Sequence, residues 1–285
     1  MNDPIIISCA LTGSQSSKAK NPSVPVTPQE IANDAYAAWK AGAAIVHLHM
    51  RDADGAGSMS AELFRETISL IREHKDCDVI INCTSSGGLT LTHQKRLEHF
   101  ETIPEIEMGS YDAGTINWAC DFVFANPPEF LEELGYTYQR HGVLPEVEIF
   151  DPGMIGNAKY YISKGVLPAP GWFQLVLGVL GGIEADIENM LFLRKMLPEG
   201  AVWSATGIGK GHLPIMYAAI ASGGHVRVGL EDNLYYERGK LATNGMLVSR
   251  AVRVAKEFGR RPATSAEARE ILGIPALSIG NGEAR

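Results

Sequence analysis

Cysteine is scarce in this chain: Cys9, Cys77, Cys83 and Cys120 are the only four among 285 residues, and no two form a C-x-x-C pair. So few thiols cannot staple a secreted scaffold of this size, and they fit a reducing cytoplasm. Basic residues are in the minority, 25 Lys and Arg against 33 Asp and Glu, a net charge of -8. Nucleic-acid binders gather Lys and Arg on one face, so a polyanion is not the expected partner. A small anionic ligand stays open, because backbone N–H groups and one local cation can hold a phosphate on an acidic protein. No apolar run reaches the roughly 20 residues of a membrane helix, and the stretch 173–180 is bounded and broken by polar residues and glycine. Asp3 precedes the apolar run at 5–11, without the basic start and cleavage site of a signal peptide. Linkers, repeats and composition breaks are likewise missing, which implies a single domain over residues 1–285.

What the sequence does have is an ordinary globular composition, 45% hydrophobic with 8% aromatic, enough for a sizeable core. Short β-rich apolar runs alternate with helix-period segments throughout. Strands are predicted at 5–11, 45–49, 79–83, 106–108, 147–150, 173–178, 202–206 and 225–228. Thr27, Pro28 and Glu30 mark a helix start and Gly42 its end; further helices are expected at 60–74, 93–100, 127–141, 154–164, 185–197, 213–222 and 244–258. Eight βα units in a chain of this length predict a TIM (β/α)8 barrel, with a short C-terminal extension at 265–272. An open doubly wound sheet is the competing arrangement of the same units.

The run Ile45-Val46-His47-Leu48-His49-Met50-Arg51 ends an apolar strand in His-x-His. Strand alternation puts His47 and His49 on one face. At the C-terminal end of a barrel strand that face looks into the mouth, where two imidazoles could share a metal. Two core histidines hydrogen-bonded to backbone are the plain alternative. A second strand, Gly224 to Gly229, runs into Leu230-Glu231-Asp232-Asn233. As strand eight it would lie one strand away from the histidines, close enough for Glu231 to complete a His2Glu set with open positions, the pattern of catalytic zinc. An acidic surface loop is the alternative. Asp232 could act as a base with Arg227 orienting it, or the two could form an ordinary salt bridge.

Gly207-Ile208-Gly209-Lys210-Gly211 follows strand seven, where TIM barrels often bind phosphate, so Gly207, Gly209 and Lys210 are candidate ligand contacts. As a dinucleotide fingerprint it is poor, lying late in the chain with no acidic residue in the required place. The loops Thr84-Ser85-Ser86-Gly87-Gly88 and 178–182 are ligand-lining candidates or simple turns. Thr84 and Ser110 would offer hydroxyls to a ligand at the mouth. Of Glu146 and Glu148 on strand five, one is expected to point inward behind the site, a helix-facing or solvated carboxylate being the alternative.

Taken together and in this order, these motifs resemble the β-keto acid cleavage enzymes. The stretches that carry the likeness, from about residue 5 to 274, are Leu11-Thr12-Gly13, Val46 to Arg51, Ala113-Gly114-Thr115-Ile116-Asn117, Pro145-Glu146-Val147-Glu148, Gly207-Ile208-Gly209 and Gly229 to Asn233. The resemblance implies a TIM barrel, typically a homotetramer, with zinc on His47, His49 and Glu231 and acetyl-CoA as co-substrate. It implies that Asp232 is the general base, Arg227 its partner, and Thr84 and Ser110 the hydroxyls around the substrate. One departure stands out: the lysine-fermentation member binds its substrate's amino group with a Glu where this chain has Gln15. A neutral amide rewards no net charge, so an uncharged or weakly polar acyl tail is expected. The implied reaction joins a β-keto acid to the acetyl group and cleaves the product with CoA, giving acetoacetate and a new acyl-CoA. The alternatives are a CoA-independent metal-dependent aldolase or hydrolase on the same barrel, and a non-catalytic barrel with a structural metal. An open three-ligand set with Asp232 beside it speaks against the last.

Overall fold

Eight parallel strands close into a barrel in the computed structural model, which describes residues 3–87 and 91–277; Gly88 of the 84–88 loop lies outside these. The barrel strands are β1 (Ile7–Ala10), β2 (Ile45–Leu48), β3 (Ile80–Cys83), β4 (Met108–Asp112), β5 (Leu144–Ile149), β6 (Trp172–Leu177), β7 (Val202–Gly207) and β8 (His225–Val228). Closure comes from β8 pairing with β1, Arg227 opposite Ser8, which excludes the open sheet. Around it run α1 (Pro28–Ala41), α2 (Ala61–Glu73), α3 (His93–Thr102), α4 (Pro128–His141), α5 (Pro152–Ser163), α6 (Ile187–Met196), α7 (His212–Ala221) and α8 (Asn244–Glu257). The signals read at α1 all operate: Thr27 and Glu30 form a capping box, and Gly42 takes the left-handed conformation at φ 116°.

Outward strand residues such as Val46, Ile81, Phe173 and Val226 join the helices in one apolar layer. Inside, the strand starts contribute a second, smaller cluster of Ile6, Ile45, Ile80, Met108 and Trp172. The extension at α9 (Ser265–Leu272) seals this floor: Ala268 and Ile274 pack on it, and Arg269 donates to Glu107 at 2.6 and 3.0 Å. Above the floor the buried interior turns polar, with Ser8, His47, Asn82, Ser110, Glu146, Gln174, Ser204 and Arg227. Polar groups so deep are costly unless paired, which marks this level as built for chemistry.

Three strands differ from expectation. The run expected as one strand over 5–11 splits: residues 4–5 pair with 261–262, and only Ile7–Ala10 enters the barrel. β4 begins at Met108 and runs through Asp112, where the strand was expected to end at 108. Gly109 reads as a stop, yet its role is close approach: a Cβ there would lie 2.5 Å from the Tyr138 hydroxyl. β5 starts earlier, at Leu144, with Pro145 inside it. Three short hairpins, pairing 50–51 with 57–58, 116–118 with 122–124, and 235–237 with 240–241, were not expected at all.

Candidate active site

His47 sits in β2 and His49 just beyond it, both facing inward, while Glu231 comes from the turn that leaves β8. That turn depends on glycine: at Gly229 φ is 147° and a Cβ would fall 2.0 Å from the Ala10 carbonyl oxygen. Gly13, at φ 63°, lies against Glu231, where a Cβ would meet Cγ at 2.6 Å. The carboxylate is thereby held 3.8 Å from His47 Nε2 and 3.6 Å from His49 Nε2. One ligand atom from each of the three residues lies within 4.8 Å of the others. His47 Nδ1, His49 Nδ1 and Glu231 Oε2 are buried with no hydrogen-bond partner among the described residues. Burial pushes the His47 imidazole down to about 3, so it stays neutral and its lone pair is available for a ligand.

Arg227 lies at the centre of the polar interior. It donates from Nε to Asp232 Oδ2 and from Nη2 to Asp232 Oδ1, each at 3.1 Å, and from Nη2 to Glu231 Oε1 at 2.6 Å. Its Nη1 is 3.8 Å from Glu146 and 3.6 Å from Glu148. Both glutamates therefore face inward, correcting the expectation of one, for residues two apart on a strand share a face. One guanidinium cannot neutralise four buried carboxylates. Burial pushes Glu146, Glu148 and Asp232 above the usual carboxylate range against the pull of Arg227. Glu231 goes the other way: burial would raise it, but His49, Arg227 and His47 together hold it well below. Asn82 Nδ2 and Trp172 Nε1 donate to Glu146 at 2.7 and 3.1 Å, and Ser110 donates to Glu148 at 2.8 Å.

A cavity of about 300 Å3 opens over these groups. His47, His49, Glu231, Asp232, Arg227, Thr84, Ser110 and Gln15 all line it. Thr84 is partly committed, donating to the Ser86 carbonyl at 2.7 Å and accepting from the Ser86 N–H at 2.9 Å. Gln15 is exposed at the rim, its amide 3.5 Å from Ser14 Oγ. Gly207, Gly209 and Lys210 are not among the lining residues, although Ile208 between them is. Asn233 grips that loop instead, accepting from the Gly209 N–H at 2.8 Å and donating to the Gly207 carbonyl at 2.9 Å, while Lys210 is exposed outside. Two buried charged residues outside the candidate catalytic set also line the cavity, Asp112, which the sequence offers as a candidate cation site beside Tyr111 and Trp118, and Arg96, which sequence reading missed. Asp112 lies two positions after Ser110 on one strand; Arg96 comes from helix α3, where no pattern points inward.

A family model described as beta-keto acid cleavage enzyme matches residues 4–274. The 3-keto-5-aminohexanoate cleavage enzyme of Fusobacterium nucleatum is 42% identical over 96% of this chain and 99% of its own length. The 3-dehydrocarnitine:acetyl-CoA trimethylamine transferase of Rhizobium meliloti is 36% identical over 96% of this chain and 98% of its own. Among solved structures the barrel is similar to apo ObcA, with a TM-score of 0.77 at 20% identity over 90% of this chain and 66% of that one.

Proposed function

Because the chain belongs to the beta-keto acid cleavage enzyme family, we propose that it is an acetyl-CoA-dependent acyltransferase that converts a β-keto acid into acetoacetate and a new acyl-CoA. The observation that carries this reading is the meeting of His47, His49 and Glu231 with Asp232 and Arg227 in one cavity. Two imidazole nitrogens and one carboxylate with open positions suit zinc, and Nε2 of both histidines facing the Glu231 carboxylate at 3.8 and 3.6 Å supports a resident ion. When bound, the ion would act as a Lewis acid that eases loss of a proton from the carbon between the two carbonyl groups.

Asp232 takes that proton. Its fork of hydrogen bonds to Arg227 fixes the carboxylate's orientation, and burial raises its affinity for protons, which suits a base. The carbanion attacks the acetyl thioester carbon, and the thiolate of CoA departs. That thiolate then attacks the substrate's original keto carbon and breaks its bond to the former methylene, which recovers a proton from Asp232. Ser110 and Thr84 hold substrate oxygens near the reacting carbons by turning their hydroxyl protons away from Glu148 and the Ser86 carbonyl. Lys210, exposed beside the mouth, fits a contact to the anionic end of CoA outside the cavity. A homotetramer and a cytoplasmic location belong to the same proposal.

The test is acetoacetate formation from a panel of β-keto acids with and without acetyl-CoA, alongside metal analysis of His47→Ala and Glu231→Ala. Acetyl-CoA-dependent product and metal loss in both variants are expected. Cleavage without acetyl-CoA would favour the aldolase reading, and full metal occupancy in both variants would move the metal elsewhere.

A further inference from the structure

Two buried charges in the cavity wall take no part in the steps above. Asp112, at the end of β4, is 6% exposed and lines the cavity, yet its carboxylate makes no side-chain hydrogen bond among the described residues. The carboxylate faces the cavity with no side-chain donor opposite it, which leaves it to a donor group on a ligand. Arg96 lines the same cavity. It donates from Nε to the Ser85 carbonyl at 2.7 Å, from Nη1 to the Ala125 carbonyl at 3.1 Å and from Nη2 to Asn126 Oδ1 at 2.7 Å. Its guanidinium also lies over the Phe130 ring, 3.7 Å from the centroid. A guanidinium has five N–H groups, so donors remain on the two terminal nitrogens.

Resting on the cleavage reading, we infer that Asp112 and Arg96 form the subsite for the substrate's acyl tail and select a neutral tail group that both donates and accepts hydrogen bonds, a hydroxyl or a carboxamide. Asp112 and Arg96 feel each other electrostatically without forming a contact ion pair. An ammonium would be drawn to Asp112 but repelled by Arg96 and Arg227. A carboxylate would be drawn to Arg96 but repelled by Asp112, Asp232 and Glu231. A neutral donor and acceptor satisfies both without either conflict. Burial pushes the Asp112 carboxyl up to about 6, against the pull of Arg96, Arg227 and His49. Trp118, 5.5 Å from Phe150 and 5.9 Å from Phe124 between ring centroids, gives the tail's carbon chain an apolar wall.

The experiment measures kcat/KM with acetyl-CoA for β-keto acids of equal length ending in hydroxymethyl, carboxamide, methyl, ammonium or carboxylate. Wild type, Asp112→Asn and Asp112→Leu are compared. In wild type the hydroxyl or the carboxamide acid should lead the methyl acid by roughly ten-fold or more, the size expected for a hydrogen bond to a charged group. Which of the two leads distinguishes the sources. Asp112→Leu should erase that lead, and Asp112→Asn should raise the carboxylate acid relative to the rest, because Arg96 loses its opposing charge. Soluble Asp112→Asn is the control should Asp112→Leu fail to fold. A wild type that prefers the ammonium or carboxylate acid, or a ranking unchanged in Asp112→Asn, overturns the subsite while leaving the cleavage reading in place. Acetoacetate from none of the acids overturns the cleavage reading and the subsite with it.

Discussion

Asp232 and its amide counterpart have the same shape but not the same capacity to take a proton. Asp232→Asn should therefore keep the fold and any bound metal while kcat drops by about 10²-fold or more, the usual cost of losing a general base. Turnover near that of wild type would shift the base to Glu146 or Glu148, which the same Arg227 holds 3.8 and 3.6 Å away. At the rim, exposed Gln15 makes its one side-chain hydrogen bond among the described residues to Ser14, so Gln15→Glu should change charge with little repacking. The expected outcome is a gain in kcat/KM for an ammonium-tailed acid relative to the methyl acid, since charge-assisted hydrogen bonds are about twice as strong as neutral ones. No relative gain would remove Gln15 from tail selection. The residues that could be read from sequence were those whose role follows from position on one strand. His47 and His49 share a face by alternation, and Glu231 follows from strand order. The number of glutamates was misjudged only because that alternation was not applied to Glu146 and Glu148. Arg96 was hidden for a different reason, being brought to the cavity by the packing of α3 and not by any local pattern.

Helices with capping chemistry were legible almost to the residue, as at Pro28–Ala41 and Ser265–Leu272, because their ends are fixed by local hydrogen bonds. The glycines were harder. Gly109 looks like a strand breaker and is a packing requirement, and the Gly207-Ile208-Gly209 turn looks like a phosphate cradle while its Gly209 N–H serves Asn233. A lone glycine announces that backbone or ligand comes near without saying which. The loop after β1 supplies a test at this scale. Gly13→Ala places a Cβ 2.6 Å from Glu231 Cγ at a φ of 63°, so the loop or the carboxylate must shift. Metal affinity measured by chelator competition should fall at least ten-fold, with the far-ultraviolet dichroism of the barrel retained. Unchanged affinity would show that the Glu231 turn does not depend on this contact.

At the level of the whole molecule, eight repeated units were foreseeable from alternation and length, while closure did not follow from them, because an open doubly wound sheet uses the same units; the barrel order supplies it. The hairpin pairing 116–118 with 122–124 was not, since its short strands carry no clear period and stand on the barrel as an insertion; yet it delivers Trp118, Phe122 and Phe124 to the cavity. The function of the terminal extension was also invisible from its amphipathic pattern alone. By covering the Ile6, Ile45, Ile80, Met108 and Trp172 cluster, α9 makes the barrel a blind tube. A tube with one opening imposes a queue. The smaller reactant must descend first, because a thioester with its long carrier in the doorway would bar the way to the triad beneath. Steady-state kinetics should then be compulsory-order, with a non-acylating CoA analogue inhibiting uncompetitively against the β-keto acid. Noncompetitive inhibition by that analogue would mean that the doorway admits either partner first.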